Sequence, residues 1–236
     1  NIKTVKAEIF NGFHGIWPHV EACYEHQKKT STTNRSWESR WKSALDDYKK
    51  NEDVSILCFH DSNTKGLYGP IDGKEEGAFY ALKGQGISDK QNQGSGGSYG
   101  HGAVSALLYS AIRCVFYYSK VNEEPRERFF GKIILQTHHH PTKEKNPKTR
   151  AHGYYGYNNE VIAPLRDEDS PSWASEFRDE VSPGEGCSVY IPYTNYNKQL
   201  IPATIIALIA NFYMAFQKAK LEATVDGIKI NSKNIN

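Results

Sequence analysis

Alternation between apolar and polar positions divides this chain into short units. Thr4-Val-Lys-Ala-Glu-Ile-Phe10 alternates as a half-buried strand does. Helical spacing follows over residues 18–29 and again over 37–50, with a polar break between. Val54-Ser-Ile-Leu-Cys-Phe-His60 is apolar enough for a strand buried on both faces, and it runs into the turn-rich Asp61-Ser-Asn-Thr-Lys-Gly-Leu67. A short helix is expected over 77–83, and a longer one over 103–112. Strands are expected over 113–119 and 128–137, separated by the charged turn Asn122-Glu-Glu-Pro-Arg126.

The polar, basic stretch from His138 to Arg150 reads as an exposed loop, after which Tyr154-Tyr-Gly-Tyr157 resumes the sheet. A helix over 171–180 and a strand over 188–192 come next. Asp226-Gly227 is a two-residue hairpin signal near the end of the chain. Leu200 to Phe216 is predominantly apolar, which raises a membrane span. It falls short of the roughly 20 residues a span needs, and Pro202, Thr204 and Asn211 interrupt it. A buried core helix is therefore the expectation, with no membrane partner. Interleaved helices and frequent hairpins predict an α+β fold, a mixed sheet with helices largely on one face, as a single domain over residues 1–236.

Composition narrows this picture only slightly. A net charge of +2 over 236 residues gives no strong field for a polyanion, so an extended nucleic-acid surface does not follow from charge. Cys23, Cys58, Cys114 and Cys187 are widely spaced, without a Cys-x-x-Cys pair, and suit free thiols in a reducing, cytoplasmic setting. The chain starts with Asn1 and enters a strand at once, so it reads as a fragment of a longer protein.

Chemistry concentrates in one place. Seven of the 19 glycines fall between Gly84 and Gly102, and Gly94-Ser-Gly-Gly-Ser-Tyr-Gly-His-Gly102 runs straight into an apolar helix. Such a run lets the backbone approach a polyanion, with the positive end of the helix behind it. A dinucleotide fold needs Gly-x-Gly-x-x-Gly directly after a strand, whereas here the order is reversed and a long polar run precedes it. A P-loop needs Gly-Lys-Ser/Thr, which occurs nowhere in the chain. What remains is a pair of elements. Asp61 closes a buried strand with Gly66 five residues on, and Gly97-Ser-Tyr-Gly-His-Gly102 opens a helix. A carboxylate accepts a hydrogen bond from the exocyclic amine of adenine, which guanine does not offer at that position.

This pair resembles the GHKL ATPase superfamily of gyrase B, heat-shock chaperones, histidine kinases and MutL. It looks closest to prokaryotic ATP-binding proteins of that type. The resemblance implies a Bergerat-type two-layer sandwich that binds ATP with Mg²⁺, with a nucleotide lid at about 84–101. It implies that Asp61 recognises adenine, with Asn63 and Gly66 in the first glycine box. Gly97, Ser98, Tyr99, Gly100, His101 and Gly102 would hold phosphates. Gly186-Cys187 stands where the family has a Gly-Thr step, adding Cys187 to the site.

Asn63 stands where the family has a glycine, and Gly66 comes one position late. No Glu is followed four residues later by Asn, the family's general base and Mg²⁺ ligand, so a catalytic helix is expected upstream of Asn1. On these residues the chain is the adenine-nucleotide-binding domain of a larger ATPase or ATP-switched protein. No catalytic residue is assigned within it. Homodimerisation on ATP binding, and coupling to nucleic-acid processing or bacterial defence through an effector domain, go with the resemblance. The alternative is a non-catalytic interaction module with a degenerate nucleotide site.

Three other features carry bland readings. Among His138, His139 and His140 at most two side chains share a face, and Cys23-x-x-His26 finds no second pair, so no metal ligands are assigned. Lys143, Lys145, Lys148 and Arg150 read as a solvated basic loop. Glu21 and Glu25 read as an ordinary exposed helix face.

Overall fold

A computed structural model describes residues 2–7, 16–30, 35–71, 82, 101–141, 147–158, 162–194 and 199–235. Strand β1 (Ile2–Lys6) precedes helices α1 (Ile16–Thr30) and α2 (Arg35–Lys50), and β2 (Asp53–His60) follows them. Helix α3 (His101–Tyr109) leads into the hairpin of β3 (Cys114–Lys120) and β4 (Glu127–Ile134). Short strands β5 (His138–His139), β6 (Lys148–Thr149), β7 (His152–Tyr155), β8 (Tyr157–Asn158), β9 (Ile162–Ala163) and β10 (Leu165–Arg166) come next. Helix α4 (Ser172–Asp179), β11 (Gly186–Pro192), α5 (Leu200–Gln217), β12 (Ala223–Val225) and β13 (Ile228–Ile230) complete the order.

The principal sheet runs β1-β2-β11-β3-β4-β10, with β7 also paired to β4. Every pairing in it is antiparallel. The fold is α+β, as its interleaved pattern predicts, but the described sheet is antiparallel where a mixed one was expected. The reason is local. β11 returns between β2 and β3 and runs opposite to both, so no parallel crossover is made among these strands.

Alternation then gives the sheet two distinct faces. One carries Ile56, Cys58, Phe116, Tyr118, Phe129 and Tyr190, and against it pack Trp17 and Val20 of α1, Trp41 and Leu45 of α2, and Trp173 and Phe177 of α4. The other carries Leu57, Val115, Tyr117, Phe130 and Ile191, with Leu107 of α3 laid on them. Trp173 is the centre of the first layer. Its ring meets Phe116, Phe129 and Tyr190 edge-on at centroid distances of 6.1, 5.7 and 5.2 Å, the geometry aromatic quadrupoles favour.

Two expectations change. Leu200 to Phe216 is helical but not buried: Ile206 is 67% exposed and Met214 57%, and within the helix only Phe216 is buried. Uniform apolarity without a one-sided stripe indicated burial, yet the described fold offers this helix little beyond β12 to pack against. It is the one described helix long and apolar enough to cross a membrane by length and composition. The basic stretch after His138 is also not wholly a loop. His138 pairs with Thr149 and His139 with Lys148, and His138 is buried. The expected hairpin at Asp226-Gly227 is present, both residues having the positive φ (49° and 81°) that its tight turn requires. The expected short helix over 77–83 lies outside the described residues except Leu82, which packs on the second face.

Trp173→Ala is expected to lower the unfolding free energy by about 3–5 kcal/mol, read from urea denaturation, while Trp173→Phe costs clearly less. A loss below about 1 kcal/mol for the alanine variant would contradict the central place given to this ring.

Candidate functional site

The register of three neighbouring strands sets one row of side chains. His60 faces Ser188, and Ser188 faces Tyr118, so Asp61, Cys187 and Ser119 lie one step further on and point to the opposite face. That face is the one on which α3 lies. The next two rows inward are apolar: Phe59, Val189 and Tyr117, then Leu57, Ile191 and Val115. An exposed carboxylate therefore stands at the end of an apolar floor.

Asp61 is held at several points. Its backbone N–H donates to the Cys187 carbonyl at 2.9 Å, which extends the ladder by one residue. The Cys187 N–H donates to Asp61 Oδ1 at 2.6 Å, and the Thr64 hydroxyl donates to the same oxygen at 2.7 Å. Among the described residues Oδ2 receives no hydrogen bond, and the side chain is exposed. From the opposite face, the buried guanidinium of Arg178 on α4 donates to the Asp61 carbonyl at 3.0 Å. It also donates to the Gly184 carbonyl at 2.8 Å and the Ser188 hydroxyl at 3.0 Å.

Gly186 is where these groups converge, at φ +144°. A Cβ there would lie 2.4 Å from the Asp61 carbonyl oxygen, 2.6 Å from its Oδ1 and 2.5 Å from Arg178 Nη2. The glycine before Cys187 is thus required by the carboxylate itself.

The loop after Asp61 folds back across the row. Asn63 has φ +57°, the left-handed conformation that asparagine tolerates better than most side chains, so it does the backbone work of a glycine. Gly66 (φ +62°) comes so close to β3 that a Cβ would sit 2.4 Å from Ser119 Oγ. Ser119 receives the Leu67 N–H at 2.7 Å and donates to the Gly186 carbonyl at 3.1 Å. Further along, buried Arg128 donates to the carbonyls of Leu67 (2.8 Å) and Gly69 (3.0 Å). Glu123 Oε1 accepts both from Arg128 (2.9 Å) and from the Gly69 N–H (2.6 Å). A glycine-containing turn is in this way fixed to the sheet by side chains on three strands or strand ends.

Electrostatics follow from burial. The Cys187 residue is half-buried, but its thiol is enclosed; burial and then the negative charge of Asp61 push it up to about 12. It is a neutral side chain at physiological pH, and its contribution to Asp61 is the backbone N–H. Tyr117 Oη, on the same face, is buried with no hydrogen-bond partner among the described residues; burial, then Cys187, raises its pKa. On the helical face, burial and the nearby positive charges of Arg178 and Lys3 lower the His60 imidazole to about 4, while its Nδ1 pairs with Ser188 Oγ at 2.9 Å.

Of the residues singled out from the sequence, Asp61, Asn63, Gly66 and Cys187 are brought together. Gly97, Ser98, Tyr99 and Gly100 lie outside the described residues, as does the lid over 84–100. His101 and Gly102 form the first turn of α3, as expected for a helix opened by glycines. Just after α3, the Ala111 N–H donates to the Tyr193 carbonyl (3.0 Å) and Ser110 bridges Thr194, which ties the end of the helix to the residues following β11. Thr64, Ser119, Arg178 and Arg128 were not anticipated. Thr64 lies within the turn after β2, but no local pattern marks Ser119, Arg178 and Arg128, whose partners lie across the fold. Comparison with family models, curated proteins and solved structures finds no match for this chain.

Gly66→Ala is expected to destabilise the fold by about 2 kcal/mol or more, through its positive φ and the Ser119 contact. Gly184→Ala, where a Cβ meets nothing within 4 Å, is expected to be close to neutral. Equal effects in urea denaturation would contradict the close approach. His60 gives a pH signature. Its imidazole accepts a proton at the ordinary 6.5 when unfolded but only at about 4 when folded. The stability it supports is therefore complete above pH 6.5 and lost as pH falls from there towards 4. The decline in urea midpoint over that window is expected to be shallower in His60→Gln than in the wild-type chain; identical slopes would contradict it.

Proposed function

We propose that this chain binds an adenine nucleotide, as the ATP-binding domain of a GHKL-type protein with a Bergerat-type sandwich. One observation carries the reading: Asp61 closes a central strand with Oδ1 fixed by Cys187 and Thr64 and Oδ2 directed to no described partner, at the edge of an apolar floor. A carboxylate so oriented accepts one hydrogen bond from an exocyclic amine while the base lies on Phe59, Val189 and Tyr117. The orphaned Tyr117 hydroxyl on that face supports a polar ligand there.

Two of the departures from the family pattern have local counterparts that support the reading. Asn63 has the left-handed backbone that a glycine adopts freely, and Thr64 brings to Asp61 a hydroxyl that Cys187 does not. The residues described at this row fit the base end of a nucleotide. They include no ligand set for Mg²⁺ and no general base, so no hydrolytic step runs through them. Phosphate contacts belong to Gly97–Gly102 under this reading. Four free thiols, three of them buried, suit the reducing cytoplasm proposed with it. Dimerisation on nucleotide binding and coupling to a nucleic-acid effector are part of the same proposal.

The test is calorimetric titration of ATP into the chain with Mg²⁺ present. Asp61→Asn is expected to weaken binding at least about 10-fold, the loss of one charge-assisted hydrogen bond, and Thr64→Val by less. Unchanged affinity in Asp61→Asn would overturn the assignment of the base site. No binding by the wild-type chain would favour the degenerate interaction module.

A further inference from the structure

From a second cluster, away from the Asp61 row, we infer a site for a divalent transition-metal ion, Zn²⁺, formed by His19, His138 and His140. Along the strand, His138 and His140 point to one side and His139 to the other. Helix α1 brings His19, 119 residues distant, against that side. His19 Nδ1 and His138 Nε2 are 2.6 Å apart, and the His19 ring lies 4.9 Å from the ring centroids of both His138 and His140.

The first pair is hydrogen-bonded in the metal-free chain, His19 Nδ1–H donating to His138 Nε2; the ion takes the place of that proton, which moves to His19 Nε2. His138 Nδ1 lies 2.8 Å from the Gln136 carbonyl oxygen, which only accepts, so the proton of the neutral ring sits on Nδ1 and the lone pair of Nε2 faces His19. The Gln136 side chain in turn donates to the Cys23 carbonyl on α1 at 3.0 Å, which locks the histidine hairpin to the helix. Cys23 Sγ lies on the Nδ1 side of His138, at 3.3 Å, and supports the ring rather than sharing the ion.

Among the described residues no three such groups are already gathered at ligating positions. The change required is small. Two imidazole nitrogens bound to Zn²⁺ at about 2.0–2.1 Å in tetrahedral geometry are about 3.3 Å apart, so His19 and His138 separate by less than an ångström and the half-buried His140 ring turns in as the third ligand. Imidazole donors without an acidic partner suit Zn²⁺ rather than Mg²⁺ or Ca²⁺. His19 and His138 also line a cavity of about 270 Å³ walled by Ile16, Phe116, Ile133 and Tyr155. A fourth coordination position there faces a largely apolar chamber, the form of a site that keeps one position for water or a small ligand. This site is independent of the nucleotide reading.

The untagged chain, dialysed against EDTA, is titrated with Zn²⁺ by calorimetry and with Co²⁺ by absorption. The wild-type chain is expected to take one ion with a dissociation constant below about 1 μM, giving a tetrahedral Co²⁺ spectrum. His19→Gln and His140→Gln are expected to weaken binding at least about 100-fold, since even outer partners of metal ligands cost 10–100-fold. His26→Gln, exposed on α1, and His139→Gln, on the outer side of the strand, are expected to bind as wild type. Circular dichroism checks that each variant is folded. No ion bound by the wild-type chain, or equal affinity in His19→Gln and His139→Gln, would overturn the site.

Discussion

The hydrogen bond from the Cys187 N–H to Asp61 Oδ1 is the constraint on which this region is built. It makes a side chain part of the strand ladder, so the carboxylate is positioned by the sheet rather than by a loop. Everything adjacent follows from making room for it. Gly186 has no side chain because a Cβ would strike the Asp61 carboxylate and carbonyl and the Arg178 guanidinium. Arg178 crosses under the strand ends to hold the Asp61 carbonyl, and Thr64 fills the second lone pair of Oδ1. Two hydrogen bonds to Oδ1 fix the rotamer of the carboxylate, while Oδ2 accepts none among the described residues.

The two faces of the sheet divide the labour. Aromatic packing around Trp173 stabilises one face and carries the backs of β2, β3 and β11. The other face is largely apolar and is capped by α3; Asp61, Cys187, Ser119 and Arg128 make up its terminal row, and buried Lys132 lies beside Val115. The margin of this face therefore combines a rigid apolar floor with an exposed hydrogen-bond acceptor.

The elements were largely legible in the chain, because their periodicities are strong: β2 in the Val54–His60 run, both helices before it, and the turn at Asp226-Gly227. Asp61 and Gly66 were legible from the residues as a carboxylate and a turn glycine at the end of a buried strand, whereas Cys187 entered only through the family resemblance. Burial was harder to read. Leu200–Gln217 is apolar on every side, so its composition indicated a core place that the described fold does not supply. Non-local partners were not legible at all. Arg178, Ser119 and Arg128 act through contacts across the fold, and His19 joins His138 only when α1 folds against the hairpin.

The central claim is that Asp61 reads an exocyclic amine. It is tested most directly by comparing ADP with IDP, which differ at that group of the purine, in parallel calorimetric titrations of the wild-type chain. The account predicts that ADP binds at least about 10-fold more tightly than IDP. Equal affinity for the two would contradict it.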